Sequence, residues 1–141
     1  MIEFNTECAF SLDDPAFAKA WIEMIIVSEG KSVGELNYIF CDDEYLLNLN
    51  QQFLNHDTLT DIISFDYTQG DVVSGDIYIS IERVKENASD FGVLMSTELE
   101  RVMAHGILHY CGYKDKTKEE KSEMRDKEDA TLTLIAKLRA S

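Results

Sequence analysis

Two of the three histidines in this 141-residue chain stand four residues apart, in the segment His105-Gly-Ile-Leu-His109-Tyr-Cys-Gly-Tyr113-Lys-Asp115. Side chains at i and i+4 leave one face of a helix, so both imidazoles can reach a single divalent ion. That spacing alone also suits a pair of core histidines held by backbone carbonyls. Gly112 tips the reading towards a metal. A glycine can take the left-handed conformation that ends a helix, turning the chain back beneath His109 and bringing Asp115 towards both rings. Two imidazoles and one carboxylate leave a fourth position for water, which a zinc-like Lewis acid activates near neutral pH. The expected metal set is therefore His105, His109 and Asp115 around one divalent transition metal, with Zn2+ the first candidate, in a catalytic rather than a structural site. The same donor set also serves non-haem iron. Gly106 stands where the His-Glu-x-x-His pattern of metallopeptidases has its glutamate, so peptide hydrolysis by that route is not expected, and no separate general base is evident.

The elements that must position these groups follow from periodicity and caps. From 102 to 111 the chain is apolar on nearly every side of a helix, the mark of a buried central helix, and Thr97-x-x-Glu100 offers a capping box for its start. Thr117-x-x-Glu120 opens a last helix with a stripe through Met124, Leu132, Ile135 and Leu138. Upstream, Asp14 and Pro15 start a helix with Phe17, Trp21, Met24 and Ile25 on one face, ending at Gly30. Asp42 caps another carrying Tyr45, Leu46, Leu49 and Phe53, and a helix over 82–91 ends at Gly92. Residues 2–10 read as an edge strand, and 36–40, 61–66 and 75–81 read as further strands, with a loop over 68–74. Four strands and about five helices without regular alternation imply an α+β fold: one domain over residues 1–141, a four-stranded mixed sheet and a buried helix presenting the histidines.

Composition narrows the function. Apolar residues make up 45% of the chain, ordinary for a single packed core. No run of about 18 apolar residues and no basic-then-apolar start is present, so a cytoplasmic protein with no membrane partner is expected. Cys8, Cys41 and Cys111 are odd in number and lack Cys-x-x-Cys spacing, which argues against disulfides and a thiolate zinc site and for reduced, mostly buried thiols. The formal charge of −14 repels phosphate backbones, so DNA is not an expected partner. An RNA role would need a local basic patch, a bridging ion or a protein that delivers the substrate.

The segment from His105 resembles the signature of the YbeY family of bacterial ribosomal-RNA maturation factors, approximately His-Gly-x-Leu-His-Leu-x-Gly-Tyr-Asp-His. Leu49-Asn50, Thr60-Asp-Ile-Ile-Ser-Phe65 and Gly75-Asp-Ile77 are similar to the family's upstream blocks in the same order, and Glu123-Met124 with Glu128 resembles its acidic last helix. The matches span roughly residues 45 to 130. The resemblance implies a metal-dependent single-strand endoribonuclease acting in ribosomal RNA maturation and ribosome biogenesis, with ribosomal RNA and the small ribosomal subunit or its proteins as partners. This chain departs from the pattern in three places. Asp115 replaces the usual third histidine, Lys114 the usual aspartate, and Leu54 stands where many members carry an arginine.

Other residues near the motif have two readings each. Asp61 and Asp76 fall in family-like blocks and could line the cleft, or bond backbone amides at turns. Tyr110 and Tyr113 could stack on a base, or pack. Lys114, Lys116, Lys118 and Lys121 could meet phosphates, or form a solvated mixed-charge face with Glu119 and Glu120. His56 reads as a loop residue. Metal-activated attack on a phosphodiester is the leading function. The alternatives are a ribosome-docking protein with a structural or vestigial ion and an acidic binding surface, and a metallohydrolase of a small molecule.

Overall fold

The computed structural model describes residues 1–53 and 60–141. Along the chain run β1 (Ile2–Thr6), α1 (Pro15–Ser28), β2 (Ser32–Cys41), α2 (Asp43–Phe53), β3 (Ile62–Asp66), β4 (Val72–Ser80), α3 (Ile81–Phe91), α4 (Met95–Tyr110) and α5 (Lys118–Ala140). The sheet order is β1-β2-β4-β3. β2 is parallel to both β1 and β4, while β3 returns antiparallel to β4, which makes the sheet mixed as expected. No helix among the described residues is long and apolar enough to cross a membrane.

Strand alternation sends Leu36, Tyr38 and Phe40 of β2 and Ile77 and Ile79 of β4 to one face, where all five are buried against α1, α4 and α5. The Tyr38 hydroxyl donates to the carbonyl of Met103 at 2.9 Å, a buried bond that ties α4 to the middle of the sheet. The other face carries a smaller core of Cys41, Leu46 and Ile63 beneath α2. Within α4, Val102, Met103, Ile107 and Leu108 are all at least 96% buried. Each such side chain contributes roughly 1.5–3 kcal/mol, which fixes the rotation of the helix and so the direction of its remaining face.

Gly106 explains how close α4 lies. A Cβ there would meet Ile77 Cδ1 at 3.0 Å and Ile62 Cδ1 at 3.2 Å. Position 106 therefore faces the sheet, and no side chain at that place could serve the histidines as a base. The helix ends as Gly112 predicts, at φ 107, with the Gly112 amide donating to His109 O and the Tyr113 amide to Leu108 O, both at 3.0 Å.

Three expectations need correction at the helix starts and strand ends. α4 begins at Met95 behind Leu94, which makes no side-chain cap bond, so the Thr97/Glu100 capping box does not form. The tight turn after Gly92 starts the helix three residues early, and Glu100 instead accepts from Arg139 at 2.6 Å. The Thr117/Glu120 box is present in full. β1 stops at Thr6, and β4 starts at Val72, inside the expected loop, because Gln69 and Val72 close the hairpin.

Candidate metal centre

His105 and His109 leave α4 on its only face not packed into the core, and the Gly112 turn returns the chain so that Asp115 meets them. The two Nε2 atoms are 2.9 Å apart, and Asp115 Oδ2 lies 3.2 Å from that of His105 and 3.4 Å from that of His109. Among the described residues this is the group of three whose ligand atoms all fall within 4.8 Å of one another.

The far side of each ring decides what these atoms can do. His109 Nδ1 lies 3.0 Å from the Tyr113 carbonyl, which can only accept, so Nδ1 carries the hydrogen and Nε2 faces Asp115. His105 Nδ1 donates to Glu128 Oε2 at 2.6 Å. Both rings are thereby held in the tautomer that directs an Nε2 lone pair inwards. Two such lone pairs and a carboxylate oxygen converging at these distances repel one another unless a cation joins them, so the residues fit a divalent metal.

Glu128 itself is 6% exposed. Burial pushes its carboxyl up, but hydrogen bonds from His105 and from Arg101 outweigh this and hold it below the ordinary carboxylate range. Arg101 reaches Glu128 Oε1 at 3.0 Å with one nitrogen and Asp129 Oδ1 at 2.7 Å with another. For His105, burial pulls the ring down, while the bond and charge of Glu128, aided by Asp115, bring the net shift upwards. A carboxylate behind a ligating imidazole both orients the ring and raises its basicity. Here α5 supplies that carboxylate to α4.

The group opens into a cleft of about 530 Å³ walled by the start of β3, α3, α4 and α5. Asp61 and Glu98 line it, and both carboxyls are shifted up: burial is the main cause in each, opposed at Asp61 by backbone amides and reinforced at Glu98 by Asp61. Arg101, Arg125 and Glu128 line it as well.

Of the residues singled out from sequence, His105, His109, Asp115 and Asp61 meet at this cleft. Asp76 does not; it accepts from Asn37 at 3.0 Å and lines a hollow on the opposite face of the sheet with Tyr45 and Tyr67. Tyr110 is buried over Gly75, its hydroxyl donating to the carbonyls of Phe65 and Asp76, and so packs rather than stacks on a base. Tyr113 donates to Glu29 Oε1 at 2.7 Å beneath the Lys127 ammonium. Lys114, Lys116, Lys118 and Lys121 are exposed and do not line the cleft. His56 and Leu54 lie outside the described residues. Sequence reasoning placed Glu128 only within an acidic helix and passed over Arg101 and Glu98. The signal available was Glu128 falling four residues after Met124, on the buried stripe of α5, where an unpaired carboxylate would be too costly.

Comparison with known proteins follows the same lines. Residues 5–136 match the family model described as Endoribonuclease YbeY. The Flavobacterium psychrophilum endoribonuclease YbeY is 60% identical over 135 residues, 96% of each chain, and that of Cytophaga hutchinsonii is 50% identical over 132 residues, 93% of this chain and 92% of its own. A Thermotoga maritima protein whose structure was solved in solution superposes with a TM-score of 0.72 at 30% identity, over 99% of this chain and 93% of that one.

Proposed function

The chain belongs to the Endoribonuclease YbeY family, and from that premise we propose that it is a metal-dependent single-strand endoribonuclease of ribosomal RNA maturation, its ion held by His105, His109 and Asp115. The convergence of two Nε2 atoms and one carboxylate oxygen at the wall of an open cleft carries the metal site. When bound, a divalent ion such as Zn2+ supplies Lewis acidity, polarising a phosphoryl oxygen and lowering the pKa of water. A closed structural zinc site has four protein donors, whereas three meet here among the described residues, which favours a catalytic role.

The chain's own residues do the rest. Glu128 holds the proton on His105 Nδ1, Tyr113 O holds that on His109 Nδ1, and Arg101 keeps Glu128 ionised. Burial raises the Asp61 and Glu98 carboxyls above their ordinary values, while Arg101 and Arg125 line the same cleft and offset part of its acidic charge. Residues 1–141 act as one metal-binding domain in the cytoplasm, on ribosomal RNA in association with the small ribosomal subunit or its proteins.

The test is cleavage of single-stranded RNA by the purified chain in defined zinc, with metal analysis alongside. His109→Ala is expected to lose both the ion and cleavage, and Asp115→Ala to lose most of the ion. Cleavage by His109→Ala at the parent rate would overturn the mechanism.

A further inference from the structure

The cleft extends past the metal group to a second set of residues that the chemistry above does not use. On α3, Asn87 and Phe91 stand four residues apart and so share a face, and both line the cleft, while Val84 and Ala88 turn into the core. Phe91 is 64% exposed. Its neighbour across the turn, Leu94, lines a separate hollow, so the aromatic belongs to the metal side. Facing α3 across the cleft is Arg125 of α5, whose side chain is 61% exposed. Its nearest carboxylate oxygen, Glu128 Oε1, is 3.9 Å away and already accepts from Arg101 at 3.0 Å, while the other Glu128 oxygen holds His105. Arg101 is by contrast committed to two carboxylates at hydrogen-bond distance and is 16% exposed. Of the two guanidinium groups that line the cleft among the described residues, Arg125 is the one left to meet an incoming anion.

We propose that Phe91 and Arg125 form a nucleotide subsite beside the metal group, Phe91 stacking on an unpaired base and Arg125 binding the phosphate next to it. An exposed ring, a side-chain amide able to meet a base edge and a guanidinium with no hydrogen-bonded partner among the described residues are the components of single-strand recognition: the π-face accepts any base, and the cation neutralises the backbone. A base paired in a duplex keeps its faces stacked and cannot be offered to Phe91, so this subsite selects unpaired RNA. The proposal rests on the endoribonuclease reading and adds the residues that hold the strand.

Binding rather than turnover tests it. The probe is a fluorescein-labelled single-stranded octanucleotide with 2′-O-methyl riboses, titrated with the zinc-loaded chain by fluorescence anisotropy at several salt concentrations. Phe91→Ala is expected to bind about tenfold more weakly with the same salt dependence, and Phe91→Tyr to bind like the parent. Arg125→Ala is expected to weaken binding and to flatten the slope of log K against log salt by about 0.7. All three variants should keep their zinc and their melting temperature, since both side chains lie at the surface. Parent-like binding by Phe91→Ala, an unchanged slope for Arg125→Ala, or no binding by the parent overturns the subsite. Failure of the metal mechanism is seen separately, as cleavage that survives His109→Ala.

Discussion

Glu128 Oε2 lies 2.6 Å from His105 Nδ1, so α5 grips the central helix α4 through a ring of the candidate metal centre. This contact joins residues 23 apart in sequence and sets both the direction and the basicity of the imidazole. Glu128→Gln keeps the shape but removes the charge. Zinc affinity is expected to fall about 10- to 100-fold, read by competition with a chromophoric chelator, and the His105 ring should titrate at lower pH by NMR. Equal affinity in the variant would show that the contact is only structural.

The same pair sets a pH dependence. His105 is shifted above its ordinary 6.5 in the metal-free protein, so its contribution to stability is complete below 6.5 and lost as pH rises through the folded value. Glu128 is shifted below its ordinary 4.5, so its contribution is present above 4.5 and lost as pH falls through the folded value. The pair therefore stabilises the metal-free chain most between these limits. A metal must displace any proton on His105 Nε2, so the rise in melting temperature on adding zinc should grow from pH 6 to pH 8. A zinc-induced shift that stays flat over that range would contradict the assignment.

Introducing the glutamate of the metallopeptidase pattern should not create a base. In Gly106→Glu the new Cβ meets Ile77 and Ile62, and the carboxylate points into the sheet. Overpacking alone costs roughly 1–3 kcal/mol, and a buried charge adds to it. Urea denaturation should show the loss, and peptidase assays should stay at background; a stable Gly106→Glu protein would mean that α4 can rotate.

The two Thr-x-x-Glu motifs should behave differently. Thr117 accepts from the Glu120 amide at 3.1 Å, and the Glu120 carboxylate accepts from the Thr117 amide at 2.9 Å. Thr117→Ala should cost about 1 kcal/mol by chemical denaturation. Thr97 lies inside the first turn of α4 and caps nothing, so Thr97→Ala should change stability by less than about half of that. Equal losses would show that the observed start of α4 is wrong.

The sequence by itself determined the local elements and the meeting of His105, His109 and Asp115, because both depend on short spacings. An i,i+4 pair on an apolar helix, a glycine able to turn left-handed, and an aspartate three residues beyond it leave few geometries, and His105, His109 and Asp115 meet as those spacings require. Five helices and four strands were legible for the same reason, from periodicity and caps within a few turns of chain. What only the tertiary structure decided is which distant groups stand behind and around those three residues. Glu128 was one carboxylate among 27 acidic residues until α5 packed on α4. Asp61 and Asp76 were equivalent in sequence, and the sheet sends one to the cleft and the other to its far side. The start of α4 moved off its capping box because the turn from α3, rather than one side-chain bond of about 1 kcal/mol, fixes where the helix begins. Short-range geometry is written in neighbouring residues, whereas the partners of a buried charge are set by which surfaces the core brings together.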